Sequence, residues 1–472
     1  MTGEVTPRTE TPRAATYQQS LSRSLTFREN ILITLSAVTP ASSVFIIIPS
    51  VIRGVGGASA IAFAIAAVVG ISVALCYAEL SSAFPITGGE YAFVARTVGK
   101  STGFALYLLT IISGILILGV IASGTGDYLG VVWSALEGRW VGLVVIVATG
   151  FIAVLGIRTN AWVTGIFLTL ELLALVVLAV LGFVRVDQPV SVLWTAQQAG
   201  AGSTLTAASA GLVVSYTAIA IFAYNGYGAA VYYAEETRQA TRTIGRAILW
   251  SLAITVVAEL VPLVAVLLGT PSMSELVSAD SPMNYFLLAR GGPVVNTIVS
   301  LGIAIAVINA VIAIMLQLGR SLYSSARDGS WPDAVNRPLT CIHPRLRTPV
   351  AATLVVTALG SLAYWLLPFE VLLLGSGASL VITYVLVGLA ALVGRIRGRT
   401  SRAAYRMPAW PLPPLLLLAS MVVVLGENLL NDWVPVTIAV GILVVGYVYY
   451  YGYIHPRRDE RWTLPAPIDE DA

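Results

Sequence analysis

The chain has 472 residues, of which 57% are hydrophobic and 11% charged, with a mean hydropathy of +0.85. A soluble globule carries about 25% charged residues, so this composition excludes one and predicts a polytopic membrane protein. The net charge of +3 at pH 7 is small and implies no nucleic-acid partner.

Residues 1–30 are polar, hold no apolar signal-peptide core and read as a cytoplasmic N-terminal tail. Twelve apolar stretches follow, centred near 41, 70, 113, 150, 174, 222, 258, 308, 358, 382, 416 and 442. Each approaches the ~20 residues that a membrane helix needs. The first, residues 31–52, is interrupted at Thr39-Pro40-Ala41-Ser42-Ser43. Proline removes a backbone donor and clashes with the preceding turn. An unsatisfied peptide group in lipid costs several kcal/mol, so a break survives only where protein or a wet cavity covers it. The sixth stretch, at about 210–234, is interrupted at Tyr224-Asn225-Gly226-Tyr227-Gly228. Two breaks at matching places in two halves predict a transporter with its substrate site at the midplane.

Spans one to five occupy residues 31–185 and spans six to ten residues 205–394. An odd number of spans per block forces consecutive blocks to begin on opposite sides, which predicts an inverted 5+5 repeat. Residues 273–290 are too polar to span and are expected at the outer surface. Residues 395–406 form a basic cytoplasmic linker, expected to be flexible. Residues 407–454 hold helices 11 and 12, and 455–472 a cytoplasmic C-terminal tail. Of the 27 basic residues, only Arg53, Arg139, Arg185 and Arg290 fall in segments assigned to the outside. The positive-inside rule therefore places both termini in the cytoplasm of a cell membrane. Arginine outnumbers lysine 26 to 1, which points to a bacterial source.

Cys76 lies in a span and Cys341 in a loop, so no disulfide is expected. His343 and His455 both lie outside the spans. No metal set, cofactor motif or nucleophile–base arrangement emerges, and the chain is not expected to be an enzyme. Gly99-Lys100-Ser101 ends like a phosphate loop, but Val94 stands where its first glycine belongs. Gradients rather than ATP are the expected energy source. Glu171 in the fifth span and Glu259 in the seventh are intramembrane carboxyls. Each costs about 2.5–3.5 kcal/mol on insertion scales, so each is expected to face the bundle. They read as proton-coupling groups or counter-ions for a cationic ligand, or as structural carboxyls bonded to a neighbouring helix. Tyr224 and Tyr227 can stack on a ligand, and an aromatic face attracts an ammonium by roughly 0.5–2 kcal/mol. Packing between helices is the alternative. Gly226 and Gly228 are read as sources of backbone freedom, and Gly375-Ser376-Gly377 as a close-packing segment.

Tyr77-Ala78-Glu79-Leu80, followed by Pro85-Ile86-Thr87-Gly88-Gly89-Glu90-Tyr91, resembles the signature after the second span of the amino acid–polyamine–organocation permeases. Phe222-Ala223-Tyr224-Asn225-Gly226, with Glu235-Glu236 after it, is similar to their sixth-span signature. Arg320-Ser321-Leu322-Tyr323 and Ala326-Arg327-Asp328-Gly329 are similar to the end of the eighth span, and Arg347-Thr348-Pro349 to the opening of the ninth. The resemblance covers residues 25–455. It implies an all-α, LeuT-like fold of twelve transmembrane helices with helices 1 and 6 broken, and secondary transport of amino acids or amines.

On this reading Thr39, Pro40, Ala41, Ser42, Ser43, Tyr224, Asn225, Gly226 and Tyr227 bind the substrate. Relatives that bind amino acid carboxylates show Gly-Ser-Gly at the first break, where this chain has Ala41-Ser42-Ser43. Ala and Ser narrow the approach to bare amides, but two hydroxyls remain. The helix expected to resume at Val44 offers free amides and its positive dipole end. Glu171 aligns with a fifth-span lysine of proton-coupled relatives. An ion site in this fold draws hydroxyls from the eighth span. Between Leu301 and Gly319 there is no Ser or Thr, only Asn309 and Gln317, which favours protons over sodium. Gln239-Ala240 and Gly245-Arg246 replace the family's proline-containing elements after Glu236. Glu79 is expected to close an inner gate or cap neighbouring backbone, and Arg320 and Asp328 to be interfacial anchors or gate salt bridges. The expected function is import of an amino acid by proton symport with alternating access, as a monomer or homodimer in the lipid bilayer. A cationic amine or polyamine transporter, an amino acid exchanger, and a channel or sensor without coupled transport are the other readings.

Overall fold

The structure is a computed structural model that describes residues 21, 23–200, 204–431 and 433–464. Most of the expected N-terminal tail, and the last eight residues of the C-terminal one, therefore lie outside the described residues. Among these residues, nine helical runs are long and apolar enough to cross a membrane. Two shorter apolar helices, Arg139–Ala153 and Val350–Leu366, stand beside them. Large apolar side chains such as Val68, Ile71, Trp162, Ile166, Leu173 and Val257 are exposed. Water does not tolerate so extended an apolar surface on a monomer, whereas lipid does.

Helix α1 (Phe27–Val38) starts at a reciprocal cap in which Thr26 and Glu29 satisfy each other's backbone amides. Thr39 then takes a left-handed conformation (φ 50°, ψ 68°) and the helix breaks. A helical turn at Pro40–Ser42 and a π-turn at Ser43–Ile47 lead into α2 (Ile48–Val55). The expected resumption at Val44 is thus a wide turn, and regular helix begins only at Ile48. Helix α3 (Ser59–Ala83) ends before Pro85, and a turn through Gly88 and Gly89 opens α4 (Glu90–Thr97). There follow α5 (Lys100–Val132), α6 (Arg139–Ala153) and α7 (Ile157–Val184). A small hairpin pairs β1 (Gln197–Ala199) with β2 (Leu205–Ala207).

Helix α8 (Ala210–Ala223) stops at the second break, where Gly226 has φ 119°. The chain goes on as a tight 3-10 segment, Tyr227–Glu236, and then as α9 (Ala240–Gly269). After the surface helix α10 (Met273–Ser278), α11 (Pro282–Arg327) is interrupted at Gly292, close to where the polar outer segment was expected to end. Then come α12 (Asp333–Leu339), α13 (Val350–Leu366), α14 (Phe369–Ile396), α15 (Leu412–Asn431) and α16 (Val434–Tyr449). Small residues let the helices approach closely. A Cβ at Gly182 of α7 would stand 2.2 Å from the Ala265 carbonyl oxygen of α9.

Both described chain ends lie on one face. Leu25 N–H donates to the Glu236 carbonyl (2.9 Å), and Thr463 N–H to the Asp328 carbonyl (3.3 Å). Trp462 is wholly buried there against Tyr91, Phe104 and Tyr107. The 395–406 linker, expected to be flexible, is docked on the same face. Glu79 accepts from Thr400 Oγ1 (3.1 Å) and from the Met407 amide (2.9 Å), and Arg399 donates to the Arg96 carbonyl. A buried carboxylate that needs donors is the reason, and Arg395 of the same segment pairs with it (3.7 Å).

Candidate substrate cavity and the polar core behind it

The two breaks pack on each other. A Cβ at Gly226 would stand 2.7 Å from the Val38 Cα, and φ 119° is a glycine conformation, so no other residue fits there. Ser43 Oγ donates to the Ala223 carbonyl (2.9 Å), and Thr39 Oγ1 to Ser42 Oγ (2.8 Å). Beside this junction opens a cavity of about 920 Å³. Thr39, Ser42 and Ser43 line it from the first break, and Asn225, Gly226 and Tyr227 from the second. Tyr384 of α14 also faces it and donates to Asn225 Oδ1 (2.8 Å). The cavity runs from Arg53 and Glu427, on the face away from the chain ends, to Tyr77, Glu90 and Tyr232.

Not every expected contact faces this space. Pro40, Ala41 and Tyr224 are absent from its walls. Tyr224 still has helical backbone angles, and its ring packs edge-on against Phe63, 5.4 Å between centroids. Gly226 then takes a left-handed conformation, and Tyr227 after it lines the cavity. Gly377, read as a packing glycine, lines the cavity, and a Cβ there would meet nothing within 4 Å.

Glu171 and Glu259 are also off the cavity wall. They sit behind the first break, both wholly buried, in a polar core that α7, α8, α9 and α11 build together. Glu171 Oε1 accepts the Ala41 amide at 2.8 Å. Thr39 and Asn309 face Glu171, and Ser43 faces Glu259. Glu171 Oε2, both Glu259 oxygens, both Asn309 amide atoms and the Tyr224 hydroxyl have no hydrogen-bond partner. Leaving one such group unpaired costs about 1–3 kcal/mol. Six orphaned atoms in one place are an arrangement that stability alone does not select.

The face that carries the chain ends is closed by ion pairs. Arg320 grips Glu236 with two bonds (2.5 and 3.0 Å), and neither side chain is exposed. Arg327 donates to Glu235 (2.5 Å), which also accepts the Thr87 amide (3.2 Å). Tyr91 donates to Asp328 (2.9 Å). Arg320 and Asp328 therefore both make buried polar contacts on this face. Sequence reasoning singled out neither Glu90 nor its tyrosine partners. The signal was present in the Gly88-Gly89 turn, whose missing side chains leave room for aromatic rings.

Long apolar helices, exposed apolar flanks and a deep cavity between two paired breaks define the class, a multi-pass membrane transport protein. The chain belongs to the amino acid permease family, whose profile matches residues 25–456. It is 24% identical to the branched-chain amino acid permease BcaP of Bacillus subtilis, over 93% of this chain and 95% of that one. It is 24% identical to the serine/threonine exchanger SteT of the same organism, over 80% and 84% of the two chains. Against human cationic amino acid transporter 4 the identity is 26%, over 80% of this chain and 61% of that one.

Proposed function

We propose that the protein imports an amino acid by proton symport with alternating access. The scaffold is a LeuT-like bundle of twelve transmembrane helices in which residues 31–185 and 205–394 are the inverted halves. Both termini are cytoplasmic, because the chain-end face gathers the basic segments around Arg96, Arg238 and Arg399. On that reading the chain-end face, where Glu90, Glu235 and Glu236 are buried, is the closed one.

One observation carries the reading. The cavity is bounded by both breaks, and a buried carboxylate directly behind the first one holds a backbone amide of that break. Thr39, Ser42 and Ser43 line the wall that would meet the substrate's polar end, and Tyr227 offers its ammonium an aromatic face. Ile46, Ile47, Ile117, Ile121 and Ile219 surround the rest of the ligand. That lining suits an apolar side chain, in keeping with similarity to a branched-chain amino acid permease. Protonating Glu171 turns a charge-assisted bond into a neutral one of about half the strength. The geometry of the break thereby depends on the proton.

The test is uptake into proteoliposomes with an inward proton gradient and no sodium, using a panel of labelled amino acids and amines. Concentrative uptake that a protonophore abolishes is expected. Uptake that needs sodium or a preloaded counter-substrate overturns proton symport. Flux far above carrier turnover, or binding without flux, assigns a channel or a sensor instead.

A further inference from the structure

The floor of the cavity is a carboxylate. Glu90, the first residue of α4, is 8% exposed and lines the cavity's inner end. Tyr77 of α3 donates to Glu90 Oε1 at 2.9 Å, and Tyr232 of the 3-10 segment donates to Oε2. Each carboxylate oxygen thus serves one tyrosine, and the two tyrosines come from different elements.

The local sequence is shaped around these contacts. A Cβ at Gly89 would stand 2.5 Å from the Tyr232 ring, and Gly89 has φ 71°. A Cβ at Gly228 would stand 2.9 Å from the Tyr77 ring. Two glycines, one in each half of the chain, admit the two rings whose hydroxyls reach one carboxylate. Tyr77 also meets Tyr384 edge-on, 6.5 Å between centroids, and Gln317 faces Tyr232. On the far side of Glu90 lies the closed network of Thr87, Glu235 and Arg327.

We propose that Glu90 is a positioning residue of the transport cycle, a node that fastens α3 and the second break to α4 and so holds the cavity shut on the chain-end face. Opening that face requires α3 and the 3-10 segment to part from α4. Both tyrosine bonds must then break together, because they end on the same side chain. Glu90 acts through Tyr77 and Tyr232, and its role is separate from that of Glu171. The inference rests on the alternating-access part of the proposed function, and on neither its proton nor its substrate.

The test uses the full chain with Cys341→Ser, which leaves the buried Cys76 as the single cysteine. Cys76 immediately precedes Tyr77 and faces Tyr227. Its alkylation by N-ethylmaleimide is timed in proteoliposomes without substrate or gradient. Two hydrogen bonds of ordinary net strength correspond to a change of roughly tenfold or more. Glu90→Ala is expected to speed alkylation by about that factor, and Tyr77→Phe with Tyr232→Phe by a similar one. Combining all three is expected to add nothing further, because one fastening is removed only once. Glu90→Gln, which can bond both hydroxyls, is expected to restore slow alkylation, and it serves as the folded control should Glu90→Ala not fold. Alkylation of Glu90→Ala at the parent rate, or additive effects of the carboxylate and tyrosine substitutions, would overturn the assignment. A protein that labels as expected but shows no proton-driven uptake would sink the proton symport reading and leave this one standing.

Discussion

Breaking the Arg320–Glu236 pair from one side should cost far more than removing it whole. Both side chains are fully buried, and the guanidinium makes two bonds to the carboxylate at 2.5 and 3.0 Å. Arg320 also donates to the Leu316 carbonyl (3.2 Å) and lies 5.5 Å from the Tyr233 ring centre. Desolvation of a buried ion costs several kcal/mol, and bidentate pairing offsets it. Arg320→Met leaves the Glu236 carboxylate buried without its cation, which should cost about 3–5 kcal/mol. Glu236→Leu leaves the guanidinium in the same position, with a similar cost. The double variant strands neither charge, and replacing a buried pair by apolar groups is often neutral or stabilising. It should therefore fall within about 1 kcal/mol of the parent. Thermal unfolding of the purified protein in detergent, read by the loss of the monodisperse peak, measures all three. Single variants as stable as the parent, or a double variant as damaged as the sum of the singles, would refute the desolvation argument.

Four further outcomes follow from the structure. Trp462→Ala removes a wholly buried ring that packs on Tyr91, Phe104 and Tyr107 and donates to the Lys100 carbonyl (3.1 Å), so it should cost about 3–5 kcal/mol in the same assay. Asp333→Asn loses only an ion pair to Arg461 whose carboxylate is 78% exposed, and should leave the melting temperature unchanged. Gly182→Leu forces α7 away from α9, where a Cβ already stands 2.2 Å from a carbonyl oxygen; it should cost at least about 1–3 kcal/mol and lower the yield of folded protein. In the transport assay, Glu171→Gln keeps an oxygen for the Ala41 amide and should retain substrate binding while losing dependence on the proton gradient, whereas Glu171→Leu should lose both. Equal behaviour of the Gln and Leu variants would argue against a role for that hydrogen bond.

The places where the chain had to break were legible because the residues responsible act on their own backbone. Pro40 cannot continue the ladder, and Gly226 occupies a conformation open to little else. Which way side chains point from a break was not legible. Tyr224 and Tyr227 look equivalent in the sequence, yet a left-handed glycine stands between them, and one ring packs on Phe63 while the other lines the cavity. Gly377 looked like a packing glycine because hydropathy cannot tell a helix neighbour from a cavity. The linker's docking was hidden for a related reason. Its arginines read as a basic, flexible stretch, whereas Arg399 reaches the Arg96 carbonyl, and Arg395, the Thr400 hydroxyl and the Met407 amide all reach one carboxylate more than 300 residues away in the chain. Glu90 was read only as part of a signature, because its meaning depends on two tyrosines that meet only in the folded chain.

The placement of Glu171 and Glu259 bears on the charge of the ligand. Two intramembrane acids without a basic partner read naturally as counter-ions for a cationic substrate. Counter-ions must touch what they neutralise, and neither carboxyl lines the cavity. Glu171 instead spends one oxygen on the Ala41 amide, so the protein's own carboxylate occupies a donor that an anionic ligand group would otherwise seek. On the proposed reading the substrate's polar end would meet the wall formed by Thr39, Ser42 and Ser43, none of which carries a charge. On the same reading Glu171 and Glu259 act from behind the break, where their protonation would alter the geometry of the wall, while Glu90 and Glu427 are the carboxylates that line the cavity itself.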